Sequence, residues 1–261
     1  MRDGLNSIQA LFRDPDRAAK PRRTGITHVL DKGLSVAEVD SLLEVAAGYI
    51  DIIKLGWGTA VVIENLDRKL ALCHERGIDM CCGGSLFEVA FLRNKVDEYV
   101  AFLKDYGFRL VEISDGCIEI PVPDKLRYVE RLSKDFRVLS EVGSKDAKVV
   151  AAPYRWVAQI KDELRAGAWK VVTEGRESGT VGLYRDSGEI RTGLIEEIEH
   201  EIDAINLIFE APQKAQQVWF VKHFGCNVNL GNIPPSEVIS LETIRQGLRA
   251  DTIGPPRAAE R

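Results

Sequence analysis

From residue 26 onward, short apolar and β-branched runs alternate with longer stretches in which apolar residues recur every three to four positions. The runs predict eight strands, over 26–31 (ITHVLD), 49–56 (YIDIIKLG), 78–84 (IDMCCGG), 109–116 (RLVEISDG), 137–143 (RVLSEVG), 169–175 (WKVVTEG), 206–212 (NLIFEAP) and 226–232 (CNVNLGN). The intervening stretches predict helices. Residues 36–47 place Val39, Leu42, Leu43 and Ala46 on one face, and 87–106 do the same with Val96, Tyr99, Val100 and Leu103. A third helix over 123–134 begins at Pro123, where a missing N–H costs nothing, and another over 236–248 has Ser236 as its expected N-cap. Gly77, Gly107, Gly167 and Gly225 each stand where a helix should stop before the next strand.

Repeated strand–helix–glycine units imply parallel strands joined by crossover helices. Eight of them make an α/β chain of one (β/α)8 TIM barrel. A doubly wound open sheet is the alternative, but no G-x-G-x-x-G follows the first strand, which weakens its nucleotide-binding form. The expected organisation is an N-terminal arm or lid over 1–20, a barrel over 21–252, and a flexible tail over 253–261 containing Pro255 and Pro256.

Composition narrows the function classes. The net charge of −5, with basic residues scattered rather than striped, argues against a nucleic-acid partner. The opening MRDGLNSIQALFRDPDR interrupts its apolar residues with charges, so neither a signal peptide nor a membrane span is expected there. Five cysteines (73, 81, 82, 117 and 226) lack C-x-x-C spacing, and neighbours such as Cys81 and Cys82 on a strand would face opposite ways. They read as reduced, mostly core thiols in a cytoplasmic protein. The four histidines have no zinc spacing.

A barrel of this kind gathers its chemistry at the C-terminal strand ends. Those positions carry Lys54 on the second strand, Gly83-Gly84-Ser85 after the third, and Glu112 on the fourth. Glu141, Glu174 and Glu210 follow on the fifth, sixth and seventh, with Lys145, Arg176 and Gln213 just beyond, and Asn229 and Asn232 on the eighth. A glutamate within an apolar strand is expensive to bury alone, and four facing one lumen would repel one another unless cations intervened. Mg²⁺, which takes oxygen ligands, would relieve the repulsion together with Lys54, Lys145 and Arg176. The structural alternative is a set of interior ion pairs. An anion could meet the amides of Gly84 and Ser85, with Ser85 capping a helix. The combination suits a small substrate with both phosphate and carboxylate; with no Ser-His-Asp or Cys-His arrangement visible, lysine or glutamate must serve as acid or base.

The stretches LDKG (30–33), YIDIIKLGWGT (49–59), GGSLFE (83–88), VEISDG (111–116), SEVGSK (140–145), TEGRESG (173–179), IFEAPQKAQQ (208–217) and NVNLGNI (227–233) resemble the phosphosulfolactate synthase family of coenzyme M biosynthesis. The similarity extends in order from about residue 20 to 252. Departures are small: Ser85 stands where archaeal members carry threonine, and Ser144 where they carry a lysine. The resemblance implies a Mg²⁺-dependent addition of sulfite to C3 of phosphoenolpyruvate, giving (2R)-3-phosphosulfolactate. It implies Lys145 as general acid, with Lys54 also catalytic. Arg176, Gly84, Ser85, Gln213 and Asn229 would bind substrate, and Glu112, Glu141, Glu174 and Glu210 are metal-ligand candidates. Two other readings stay open. One is a non-catalytic interaction protein like the plant heat-stress-associated relatives of the family; the other is a phosphoenolpyruvate enzyme with a different nucleophile. Homo-oligomer formation also stays open.

Overall fold

The structure is a computed structural model that describes residue 8 and residues 11–145 and 151–253. Eight parallel strands form one nearly closed barrel: β1 (Thr27–Asp31), β2 (Ile52–Leu55), β3 (Asp79–Cys82), β4 (Leu110–Ile113), β5 (Arg137–Val142), β6 (Lys170–Thr173), β7 (Leu207–Glu210) and β8 (Leu230–Ile233). Their order, β3-β2-β1-β8-β7-β6-β5-β4, wraps β8 back against β1 and leaves one seam without a ladder, between β3 and β4. An open doubly wound sheet is thereby excluded, and the (β/α)8 barrel is the fold.

The helices in chain order are α1 (Val36–Ala46), α2 (Thr59–Val62), α3 (Leu66–Glu75), α4 (Gly84–Leu92), α5 (Val96–Asp105), α6 (Val122–Leu132), α7 (Pro153–Arg165), α8 (Thr192–Glu201), α9 (Lys214–Phe224) and α10 (Val238–Arg245). Local chemistry explains their ends. Ser35 and Glu38 form a reciprocal capping box that starts α1, whose buried face is Val39, Leu43 and Ala46. The helix expected over 87–106 is two helices instead. Asn94 between them has a φ of 54°, a left-handed conformation that asparagine tolerates and a helix does not. Neither predicted serine cap forms: α4 starts one residue earlier than Ser85 with Gly83 before it, and Ser236 lies in a 3-10 turn ahead of α10.

Strand pleating divides the core in two. Val29, Ile53, Met80, Val111, Val138, Val171 and Phe209 pack outward under the helices. Ile26, Ile52, Cys81, Leu110, Leu139, Val172 and Ile208 fill the barrel interior. Two residues further along each strand, the same inward parity delivers Lys54, Glu112, Glu141, Glu174 and Glu210 to a charged layer above that apolar plug. The N-terminal end is sealed differently. Arg17 pairs with Glu242 at 3.1 Å, the Asp14 amide donates to Gln246 Oε1, and Arg245 Nη1 donates to the carbonyls of Cys226 and Val228. Residues 14–18 therefore run beneath the barrel, at the end opposite the mouth. Among the described residues no helix is long and apolar enough to cross a membrane.

Candidate active site

A cavity of about 320 Å³ opens at the C-terminal mouth, and its lining includes Lys54, Glu112, Glu141, Lys145, Glu174 and Glu210. All four strand glutamates are at least 97% buried, so their electrostatics are set by one another and by two lysines. Lys54 Nζ sits 3.0 Å from Glu210 Oε1 and 3.4 Å from Glu112 Oε2. Burial works against its charge, but Glu112, Glu210 and Glu141 outweigh burial and raise its pKa above the ordinary lysine value. Lys145 Nζ lies 2.7 Å from Glu141 Oε1, 3.5 Å from Glu88 Oε1 and 3.6 Å from Glu174 Oε2. It too is raised, with burial overcome chiefly by Glu141 and Glu174.

The carboxyls are not equivalent. Burial pushes Glu112 up to about 7 despite Lys54 and the Gly84 amide. Burial also opposes ionisation of Glu141, yet Lys145, Lys54 and hydrogen bonds hold it at about 2. Glu174 moves the other way: burial, then the charges of Glu141 and Glu210, drive it well above the carboxylate range. Of this pair Glu174 is the more readily protonated and Glu141 the more readily ionised. Even so, five carboxyls (including Glu88) surround two ammonium groups. Glu112 Oε2, Glu174 Oε2 and Asn232 Oδ1 are buried and accept no hydrogen bond. An all-oxygen donor set with excess negative charge fits a hard divalent cation.

The remaining predicted residues divide. Gly84, Ser85 and Arg176 line the cavity. The Gly84 amide, however, is already committed to Glu112 Oε1 at 2.7 Å and tethers β4 to α4 across the open seam. The Arg176 amide donates to Glu174 Oε1, while its guanidinium makes no ion pair among the described residues. Asn229 and Gln213 are not at the cavity. Asn229 precedes β8, which begins four residues later than expected, and its side chain bonds the Ile26 amide and the Leu207 carbonyl near the barrel bottom. Gln213 caps α9 and donates to Ser178 O, holding the loop after β6.

Two buried residues, Glu88 and His28, were not predicted for the site, and Asn232, placed at the end of the eighth strand by the sequence, was given no binding role there. Glu88 receives the Ser114 hydroxyl and the Cys117 amide while facing Lys145. As an acidic residue within apolar GSLFEVAFL it carried a readable signal. Asn232, rather than Asn229, supplies the eighth strand's contribution, from a left-handed φ of 54°. His28, inside β1, faces the lumen with neither ring nitrogen partnered.

Comparison with known proteins finds relatives over most of the chain. The model of the (2R)-phospho-3-sulfolactate synthase family matches residues 15–251. A phosphosulfolactate synthase of Methanothermobacter thermautotrophicus is 43% identical over 93% of this chain and 96% of its own. One of Bacillus subtilis is 40% identical over 91% of this chain and 96% of its own. The protein HEAT-STRESS-ASSOCIATED 32 of Arabidopsis thaliana is similar at 26% identity over 88% of each chain. Among solved structures, a 3-hexulose-6-phosphate synthase superposes with a TM-score of 0.54 at 15% identity, over 86% of this chain and all of its own, a likeness of fold alone.

Proposed function

The chain belongs to the phosphosulfolactate synthase family of enzymes, and from that premise we propose that it adds sulfite to C3 of phosphoenolpyruvate, giving (2R)-phospho-3-sulfolactate with the help of Mg²⁺. The observation that carries the reading is the cavity itself. It combines two buried ammonium groups and a free guanidinium with a carboxylate ring, so it offers cations to an anionic substrate and oxygens to a metal.

The sulfur lone pair of sulfite forms the new bond to C3, and the C2=C3 electron pair moves into the substrate carboxylate as an aci-carboxylate. Proton delivery to C2 then returns that pair and completes the addition. Mg²⁺ held by Glu112, Glu210 and Asn232 Oδ1 would supply positive charge for the carboxylate as its negative charge grows. Lys54, locked between Glu112 and Glu210, adds a fixed cation that needs no reorganisation when the charge develops. Lys145 is the proton donor. Its raised pKa keeps the proton in place until a strongly basic carbon arrives, and Glu174, whose Oε2 lies 3.6 Å from its Nζ, is the carboxyl placed to replace the proton given up. Arg176 at the exposed rim, with the Asn232 amide deeper, holds the phosphate and sulfo groups.

A non-catalytic barrel would gain nothing from this ring, because buried ion pairs seldom stabilise more than apolar packing does. ³¹P NMR of enzyme with phosphoenolpyruvate, sulfite and Mg²⁺ tests the reading. A new phosphomonoester resonance should appear only when sulfite is present, stop with EDTA and return with Mg²⁺. Unchanged phosphoenolpyruvate in the complete mixture would overturn the assignment; consumption without sulfite would point to another nucleophile.

A further inference from the structure

Below the oxygen ring, three lumen residues of different chemistry converge. A ring nitrogen of His28, the sulfur of Cys81 and a carboxylate oxygen of Glu112 lie within 4.8 Å of one another, and all three residues are buried. We infer that His28, Cys81 and Glu112 form a second cation site, suited to a borderline divalent ion such as Zn²⁺ rather than to Mg²⁺.

Unmet bonding capacity carries the inference. A neutral imidazole offers one N–H and one lone pair, and in His28 neither nitrogen has a partner although the residue is 0% exposed. Glu112 spends Oε1 on the Gly84 amide, and Oε2 has the Lys54 ammonium 3.4 Å away but accepts no hydrogen bond. Cys81 faces the same space, while its neighbour Cys82 turns to the outer layer. Gly231 keeps the flank of the imidazole clear, since a methyl group there would lie 3.0 Å from Nδ1. Native interiors rarely leave such groups unsatisfied without a ligand or water to complete them.

The donor set chooses the ion. Imidazole nitrogen, thiolate sulfur and one carboxylate oxygen are zinc ligands, and a thiolate repels the preference of Mg²⁺ for oxygen. Tetrahedral zinc would place the three atoms about 3.5 Å apart, within the 4.8 Å limit that already encloses them. On binding, the Cys81 S–H bond breaks, its proton goes to water and its electron pair goes to the metal. His28 contributes a lone pair and Glu112 its Oε2, so no oxidant or further reactant is needed. Because Glu112 also pairs with Lys54 in the ring above, an ion below takes one carboxylate from the catalytic layer. Zinc occupancy and full activity therefore oppose each other.

Co²⁺, added to metal-stripped protein and followed by absorption, tests the site without any turnover. The expected spectrum has a near-ultraviolet thiolate charge-transfer band and strong visible bands of a four-coordinate ion, at one Co²⁺ per chain, resistant to excess Mg²⁺. Cys81→Ser should abolish the charge-transfer band, and His28→Ala should weaken Co²⁺ binding by at least about tenfold. Cys82→Ser and Cys117→Ser should leave the band intact. Should Cys81→Ser fail to fold, as judged by circular dichroism, the His28→Ala titration decides alone. Only weak bands that Mg²⁺ displaces, or a charge-transfer band lost in Cys117→Ser, would overturn the site. Since the readout is spectroscopic, its failure is distinct from failure of the sulfite reaction.

Discussion

Glu112 makes metal-free stability depend on pH in a direction opposite to that of an ordinary paired carboxylate. Its folded pKa is about 7 against an ordinary 4.5, because burial outweighs Lys54 and the Gly84 amide. A carboxyl raised on folding contributes fully below the unfolded value, where both states are protonated. That contribution is lost as pH rises through the folded value. The difference of about 2.5 units corresponds to roughly 3 kcal/mol, lost between pH 4.5 and 7. Buried Glu174, raised in the same direction, adds to the loss. Glu141, lowered to about 2, acts oppositely: its contribution is present above 4.5 and is lost as pH falls toward 2. Metal-free protein should therefore lose stability from pH 5 to pH 7.5, with a fall in Tm of roughly 6–12 °C for a chain of this size. Glu112→Gln keeps the acceptor for the Gly84 amide but cannot ionise, so it should remove the Glu112 share of that slope. Added Mg²⁺ should flatten the wild-type curve by compensating the ionised carboxylates. Urea denaturation in EDTA at half-unit pH steps makes the measurement. A wild-type slope that survives unchanged in Glu112→Gln would refute the link between burial of this carboxyl and the pH dependence.

The other predictions concern individual side chains. Lys145→Ala should lower kcat by about 10²–10⁴-fold with a smaller change in KM, and Lys145→Arg should not rescue it, because a guanidinium keeps its proton; near-wild-type kcat in the arginine variant would end the donor role. Lys54→Met strands Glu112 and Glu210 without their ammonium and should cost about 3–5 kcal/mol in metal-free urea denaturation, with partial recovery when Mg²⁺ is added. Gly84→Ala would drive its methyl group into Ser114, whose backbone nitrogen lies only 3.2 Å away, and so displace the Ser114–Glu88 contact beside Lys145. Steady-state kinetics should show the loss mainly in kcat, while circular dichroism stays that of a folded barrel.

The barrel and its glutamate ring were legible in the sequence because parity along a short strand is a two-residue code. Leu110 and Glu112, Leu139 and Glu141, Val172 and Glu174, and Ile208 and Glu210 repeat one apolar-then-acidic step on four successive strands. The apolar member marks the lumen and the acid the layer above it, so whichever way the first faces, the second follows. Strand 8 failed because the same code needs a correct starting point. Asn229 and Asn232 both look available in NVNLGN, and only the hydrogen bonds of Asn229 to Ile26 and Leu207 reveal that it closes the bottom. Glu88 and His28 escaped for a different reason. Glu88 enters from a helix, and His28 sits below the strand end, so a search confined to strand tips passes over both. Yet the two bear on opposite sides of the same layer, Glu88 against Lys145 and His28 beside Glu112. The charged layer is thus joined from the helical ring by Glu88 as well as by its own strands. The strand glutamates themselves keep both lysines charged where burial alone would strip them, and Glu88 adds to this at Lys145.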